Sequence, residues 1–178
     1  MNKKKNKKII YLITGLAVVL LSIFLIVSIK DGASVSSVNN KENKSELVGA
    51  LYAEEKYFDF GDISMKNGNV SREFKIENKG EGPVVINKVY TSCMCTSAFI
   101  IDETGKKRGP FSMPGHGGGP AKTNIEVPAG KSAVIEAVFD PAAHGPAGVG
   151  LAERSVYIET NSPMSPRLEF SFKAAVSR

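Results

Sequence analysis

The chain has 178 residues, with 23 Lys and Arg against 18 Asp and Glu, and a formal net charge of +5 at pH 7. Five lysines among the first eight residues make up the whole excess, because the remainder carries 18 charges of each sign. The basic balance therefore reflects the N-terminus, and a DNA- or RNA-binding surface is excluded as its cause.

An uncharged apolar run of 21 residues, 9–29, follows the basic residues 1–8. As a helix it would be about 31 Å long, which matches a hydrocarbon core of roughly 30 Å. The run ends at Lys30-Asp31, with no small-residue cleavage site close behind and no lipobox cysteine. It predicts an uncleaved single-pass anchor with the N-terminus in the cytoplasm and the rest outside. A cleaved signal peptide is the alternative.

Residues 30–53 begin as a polar stretch rich in Ser, Asn and Lys, and this composition predicts a flexible linker. About 20 such residues give a typical reach of roughly 25 Å, enough to hold a domain clear of the lipid headgroups. Residues 54–178 then form one domain, since about 125 residues suffice for one core but not for two.

In residues 54–178, apolar and polar side chains alternate in short segments, as is typical of half-buried β-strands. Turn-rich stretches at 66–69, 78–83, 128–131 and 161–166 separate these segments in a hairpin-like way. We predict an all-β, Ig-like sandwich of about seven strands and no helix. An antibody-type core is excluded, because there is no Trp and the two cysteines are too close to bridge two sheets. The residues expected to face inward are Phe74, Ile76, Ile135, Ala137, Phe139, Leu168, Phe170, Phe172 and Ala174.

Two Gly/Pro-rich stretches interrupt the regular spacing of the predicted strands. Residues 101–123 predict an unusually long loop, and residues 140–150 predict a second one. Loops of this length are often functional, so both are candidate parts of a binding site.

Short motifs along the domain carry a resemblance to a known family. In chain order they are Phe60-Gly61, Asn78 with Gly80, Ser92-Cys93-Met94-Cys95-Thr96, Ala129-Gly130 and Thr160-Asn161. In this order the chain resembles the bacterial domain-of-unknown-function family 1573 (DUF1573), a relative of the Hydin-like and major-sperm-protein-like Ig folds. The resemblance covers about residues 57–176 and implies a secreted or anchored β-sandwich, but no reaction.

The chain departs from the usual family pattern at two motifs and in one insertion. Met94 stands between the cysteines where members usually have Gly, and Ala129-Gly130 replaces Pro-Gly. The glycine-rich stretch within residues 101–123 is additional.

Cys93 and Cys95 could form a disulfide outside the membrane. Two residues apart on a flat strand, their Cα atoms would be about 6.6–6.8 Å apart, at the upper limit for a disulfide, so the backbone would have to bend. Closing so small a loop would stabilise the fold by only about 1.6 kcal/mol. Such a bond would be readily reducible and could be redox-active.

The same two cysteines could instead hold a metal ion. On a strand their side chains point to one face, and sulfurs bound to one ion lie roughly 4 Å apart. A soft donor set favours Cu(I). The additional candidate ligands are Met94, Met113, His116, His144 and Met164, of which Met164 is expected to pack under a turn instead.

These ligands converge at one end of the sandwich if the cysteines end a strand. That placement fails if residues 98–101 form a separate strand. A third interpretation leaves two free thiols and a solvated His144, with no cofactor.

Enzyme signatures are absent from the sequence. The "HGGG" at 116–119 has no accompanying GxSxG nucleophile motif, and Cys-x-Cys is not the Cys-x-x-Cys of thioredoxins. We therefore predict a non-enzymatic, membrane-anchored envelope protein whose domain binds or scaffolds a protein or other envelope partner. The alternative is an envelope copper-binding or thiol-redox protein.

Overall fold

The computed structural model describes residues 47–115 and 121–178. The predicted basic N-terminus, the predicted anchor at 9–29, most of the predicted linker and His116 lie outside the described residues. Among the described residues, no helix is long and apolar enough to span a membrane. The strands are β1 (Leu51–Tyr52), β2 (Tyr57–Ser64), β3 (Val70–Asn78), β4 (Val84–Thr91), β5 (Thr96–Ile101), β6 (Lys107–Phe111), β7 (Ala121–Val127), β8 (Ser132–Phe139), β9 (Gly150–Thr160) and β10 (Arg167–Ser177).

The strands form two five-stranded sheets. The first sheet has the order β1-β3-β8-β5-β6, and the second has the order β2-β10-β9-β4-β7. β2 runs parallel to β10, and the other pairs are antiparallel. The helical structure of the described residues consists of two short 3-10 segments, Met65–Asn67 and Gly145–Gly148. The predicted all-β class is confirmed.

Aromatic side chains join the inner faces of the two sheets. Phe74 of β3 packs against Phe170 of β10 with ring centroids 5.2 Å apart, and Phe139 packs against Phe172 at 5.4 Å. Every residue that the alternation pattern predicts to face inward is buried. Each such large side chain contributes about 1.5–3 kcal/mol to the free energy of unfolding. The residues that form the sandwich core are therefore those that the alternation of apolar and polar side chains predicts.

The domain begins before the predicted boundary at residue 54. The Val48 and Ala50 carbonyls accept hydrogen bonds from the backbone of Glu81 and Lys79, and β1 pairs with β3. Leu51 and Ala53 are buried in the core. These two apolar residues continue the strand alternation upstream, so residues 47–53 belong to the folded domain and not to the linker.

The predicted loop at 101–123 contains β6 and the start of β7. The sequence of β6, KRGPF, includes Gly109 and Pro110, which usually indicate a turn. Proline is tolerated here because β6 is the outermost strand of the first sheet. Together with β1 and a separate β5, this strand raises the number from about seven predicted strands to ten within the described residues.

Three of the four predicted hairpin-like turns join strands of different sheets. The turns at 66–69, 78–83 and 128–131 connect β2 to β3, β3 to β4 and β7 to β8, which lie in opposite sheets. Only the turn at 161–166 joins two hydrogen-bonded neighbours, β9 and β10. Turn composition indicates where a chain reverses direction, but it does not determine which sheet the next strand joins.

Asn78, at the end of β3, is a fully buried polar residue with a complete set of hydrogen bonds. Its Oδ1 accepts from the backbone N–H of Ala50 at 3.0 Å and of Gly80 at 3.1 Å. Its Nδ2 donates to the carbonyls of Gly82 at 2.8 Å and of Val127 at 2.9 Å. The side chain thus links the residue just before β1 to β7 of the second sheet.

Candidate functional site

The two cysteines lie in a tight turn, residues 92–95, which connects β4 of the second sheet to β5 of the first. The Thr96 N–H donates to the Cys93 carbonyl at 3.2 Å and closes the turn. The Thr91 hydroxyl, within the buried end of β4, lies 2.9 Å from the same carbonyl. The cysteines are therefore not on a flat strand, and the strand spacing considered for them does not apply.

The pairing of β5 with β8 places the 140–149 loop beside this turn. Thr96 and Phe139 are partners in that pairing, so the next residues outward are neighbours as well. The Asp140 N–H accordingly donates to the Cys95 carbonyl at 2.9 Å. The loop then reverses direction and brings His144 back to the cysteines. The strand arrangement predicted from the sequence for this convergence was wrong, because residues 98–101 do form part of a separate strand, β5. The loop approaches the cysteines because β5 pairs with β8.

Three of the predicted ligands lie together. The Cys93 Sγ is 3.2 Å from the His144 Nε2, and the Cys95 N–H donates to the Cys93 Sγ at 3.4 Å. The ligand atoms of Cys93, Cys95 and His144 all lie within 4.8 Å of one another. The two cysteines are free thiols with no bond between them. We call these three residues the thiol cluster.

Three other candidate ligands, Met94, Met113 and Met164, lie among the described residues, and Met164 is 71 % exposed in the turn between β9 and β10. Met94 lies at the tip of the turn, with its side chain 50 % exposed. Met113 is half-buried two residues beyond the end of β6. His116 lies outside the described residues.

Arg154 is the residue at this site that the sequence reasoning missed. Its Nε donates to the Cys95 Sγ at 3.0 Å. Arg154 belongs to β9, where the residues two before it and two after it, Ala152 and Val156, are buried. Strand alternation therefore puts the arginine on the inner face of the second sheet, at its end. The alternation in "RSVYIETN" was the available signal, because it assigns Arg154 to the same face as Val156.

Hydrogen bonds and charge determine which thiol ionises. Partial burial opposes ionisation of Cys93, but hydrogen bonds from the Cys95 thiol and N–H, with His144 and the Arg154 charge, lower the pKa of Cys93 to about 7. Burial raises the pKa of Cys95, and its hydrogen bond with Cys93 adds to this, while Arg154 opposes it. Cys93, the less buried sulfur, is therefore the one that ionises first, and about half of it is thiolate at pH 7. Thiolate is the form that attacks disulfides and binds metals.

Comparison with solved structures identifies the fold alone. A protein of unknown function from Porphyromonas gingivalis W83 is similar with a TM-score of 0.53 and 19% identity, covering 77% of this chain and 51% of that one. The YadV chaperone gives a TM-score of 0.44 and 10% identity, covering 72% and 52%. The PapD-like domain 7 of human CEP192 gives 0.42 and 14%, covering 74% and 87%. The chain thus spans about half the length of the first two proteins.

Comparison of sequences gives one match. No curated protein matches the chain. The family model for DUF1573, described as a protein of unknown function, matches residues 51–108. This segment contains Asn78, Cys93 and Cys95, and the match confirms the family resemblance inferred from the sequence.

Proposed function

We propose that this protein is a membrane-anchored envelope protein that binds a soft metal ion, Cu(I), with its thiol cluster outside the cytoplasm. The observation that carries the proposal is the convergence of two sulfurs and one imidazole nitrogen within 4.8 Å. The sequence predicts a domain that binds a partner, and a soft ion is the ligand that these donors fit best. The anchoring and the location rest on the apolar run at 9–29 and the lysines before it.

The donor set favours Cu(I) for chemical reasons. Thiolate is a soft ligand and imidazole is a borderline one, and both suit copper better than the hard cations Mg²⁺ or Ca²⁺. Cys93 is half-buried and His144 is exposed, so an ion can reach the cluster from solvent. Cys95 is only 3 % exposed, so the bound ion would be shielded on its inner side.

Anaerobic titration of the full chain in detergent with Cu(I), against a chromophoric Cu(I) chelator, tests the proposal. We expect one ion per chain, weaker binding in His144→Ala, and loss of this binding in the double variant Cys93→Ser/Cys95→Ser. Met164→Leu removes an exposed thioether in the β9–β10 turn and serves as the matched control. Equal binding by the wild type and the double serine variant would contradict the proposal.

A dithiol redox role is the second candidate, favoured by the lowered pKa of Cys93 beside a more buried Cys95. In this role the Cys93 thiolate attacks a sulfur of a partner disulfide and releases one partner thiolate. The Cys95 thiolate then attacks the Cys93 sulfur and releases the second, so the pair is oxidised and the partner disulfide is reduced.

Mass spectrometry after exposure to oxidised glutathione tests the redox role. Formation of an internal disulfide removes two hydrogens, a loss of about 2 Da that reductant reverses. Two thiols that stay unbridged, without even a mixed disulfide with glutathione, would exclude this candidate.

A further inference from the structure

Arg154 places a permanent positive charge against a sulfur of the thiol cluster. Its Nε lies 3.0 Å from the Cys95 Sγ, and its Nη1 donates to the Glu153 carbonyl at 2.7 Å. Guanidinium remains protonated at any physiological pH, so this charge is fixed. It comes from β9 in the second sheet, whereas His144 follows β8 in the first.

The cysteine pair, which carries its negative charge on Cys93, is the partner of this guanidinium. Within residues 47–115 and 121–178, no carboxylate lies within ion-pair distance of Arg154. A partly buried cation on the inner face of a sheet is costly unless a negative group opposes it. The structure therefore pairs Arg154 with the cysteines and with no acidic residue among those it describes.

This pairing determines the total charge of a metal-loaded cluster. Two thiolates carry two negative charges, Arg154 carries one positive charge, and a neutral imidazole carries none. One negative charge therefore remains for the ion to balance. A monovalent ion makes the assembly neutral, whereas a divalent ion such as Zn²⁺ leaves one positive charge in a partly buried position.

We infer that Arg154 is a specificity-determining residue that makes the thiol cluster prefer a monovalent soft ion, Cu(I), over the divalent Zn²⁺. This inference rests on the proposed metal-binding function. Arg154 contacts Cys95, which would bind the ion, and does not contact the ion itself. It therefore acts through its charge. Both ions require both cysteines as thiolates, so any help that Arg154 gives to thiol ionisation is common to both. Among the effects of Arg154, only its contribution to the net charge of the complex differs between the two ions.

The ratio of Cu(I) affinity to Zn²⁺ affinity tests this inference, because losses common to both ions cancel in it. Each affinity is measured on the full chain by competition with a chromophoric chelator, under reducing anaerobic conditions. In Arg154→Met and Arg154→Gln we expect the ratio to fall by about tenfold or more. In Arg154→Lys, which keeps the charge, we expect it to stay within about twofold of the wild type.

Arg167→Gln is the matched control, since it removes the same charge from a residue stacked on Tyr157 at the far end of β10. Thermal unfolding of each metal-free variant verifies the fold. Arg154→Met and Arg154→Gln differ in polarity, so the test still stands if one of them misfolds. An unchanged ratio in both neutral variants, or an equal fall in Arg154→Lys, would overturn the role of charge while leaving Cu(I) binding intact. A wild-type chain that binds no Cu(I) would overturn the proposed function itself.

Discussion

The two ends of the sandwich use polar side chains in opposite ways. Along β8, Ser132 lies beside the Asn78 end and Phe139 beside the thiol cluster, about 23 Å apart. At the first end, the Asn78 side chain makes four hydrogen bonds, all to backbone. At the second end, the sulfurs and the imidazole face one another and Arg154. A polar group satisfied by the backbone holds the fold, whereas ligand atoms that face each other can hold an ion.

The largest effect on the free energy of unfolding is expected when the Asn78 side chain is removed. Asn78→Ala leaves two part-buried N–H groups and two carbonyls in buried hydrogen bonds without their partner, and we expect it to lower the free energy of unfolding by about 3 kcal/mol or more. Urea unfolding of the purified protein measures this change. Cu(I) binding by the folded fraction should be unaffected, because the thiol cluster is at the other end.

Asn161→Ala is the control for this substitution. Asn161 Oδ1 accepts one hydrogen bond, from the Val85 N–H at 2.8 Å, in an exposed position. Its loss should cost about 1 kcal/mol or less. Equal losses for the two variants would contradict the assignment of Asn78 as the structural hub.

An intermediate effect is expected in the ionisation of Cys93. With the pKa lowered to about 7 from a usual value of 9.0, about half of the Cys93 thiols are ionised at pH 7, against about 1% of ordinary thiols. Alkylation of the metal-free protein by iodoacetamide should therefore rise with pH through a midpoint near 7. Mass spectrometry of the peptide containing Cys93 measures the rate.

His144→Ala should move the alkylation midpoint upward, because the His144 hydrogen bond is one of the interactions that lower the pKa of Cys93. A wild-type midpoint close to 9 would show that the cluster does not stabilise the thiolate.

The smallest effect is expected for the stability of the metal-free thiol cluster. Cys93 is half-buried and its sulfur contacts His144 at the surface, so Cys93→Ser should change the free energy of unfolding by about 0.5 kcal/mol or less. Urea unfolding under reducing conditions compares it directly with Asn78→Ala. A loss as large as that of Asn78→Ala would mean that the thiol cluster is part of the scaffold and not a binding site.

The core of this fold was predictable from sequence, because a period of two places residues such as Phe74 and Phe172 on one face whatever the strand order is. The position of His144 was predictable only in part. Its contact with Cys93 depends on β5 pairing with β8, which joins residues about 40 positions apart. β6 was missed because Gly109 and Pro110 indicate a turn, and an edge strand tolerates them.

Arg154 was missed for a different reason. A charged side chain on a strand usually faces solvent, but the place of Arg154 in the alternation puts it on the inner face with Val156. A cation at an inward-facing strand position is thus a signal worth following in related sequences, since it requires a negative partner across the core.

The parallel pairing of β2 with β10 has a consequence for biogenesis. Tyr57 pairs with Ser171, and Ile63 accepts a hydrogen bond from Ser177, so these contacts join residues 114 positions apart. The second sheet cannot be completed until β10 has left the ribosome and, for an exported domain, has crossed the bilayer. Folding should therefore be slow, in the range of milliseconds to seconds that is typical of high contact order.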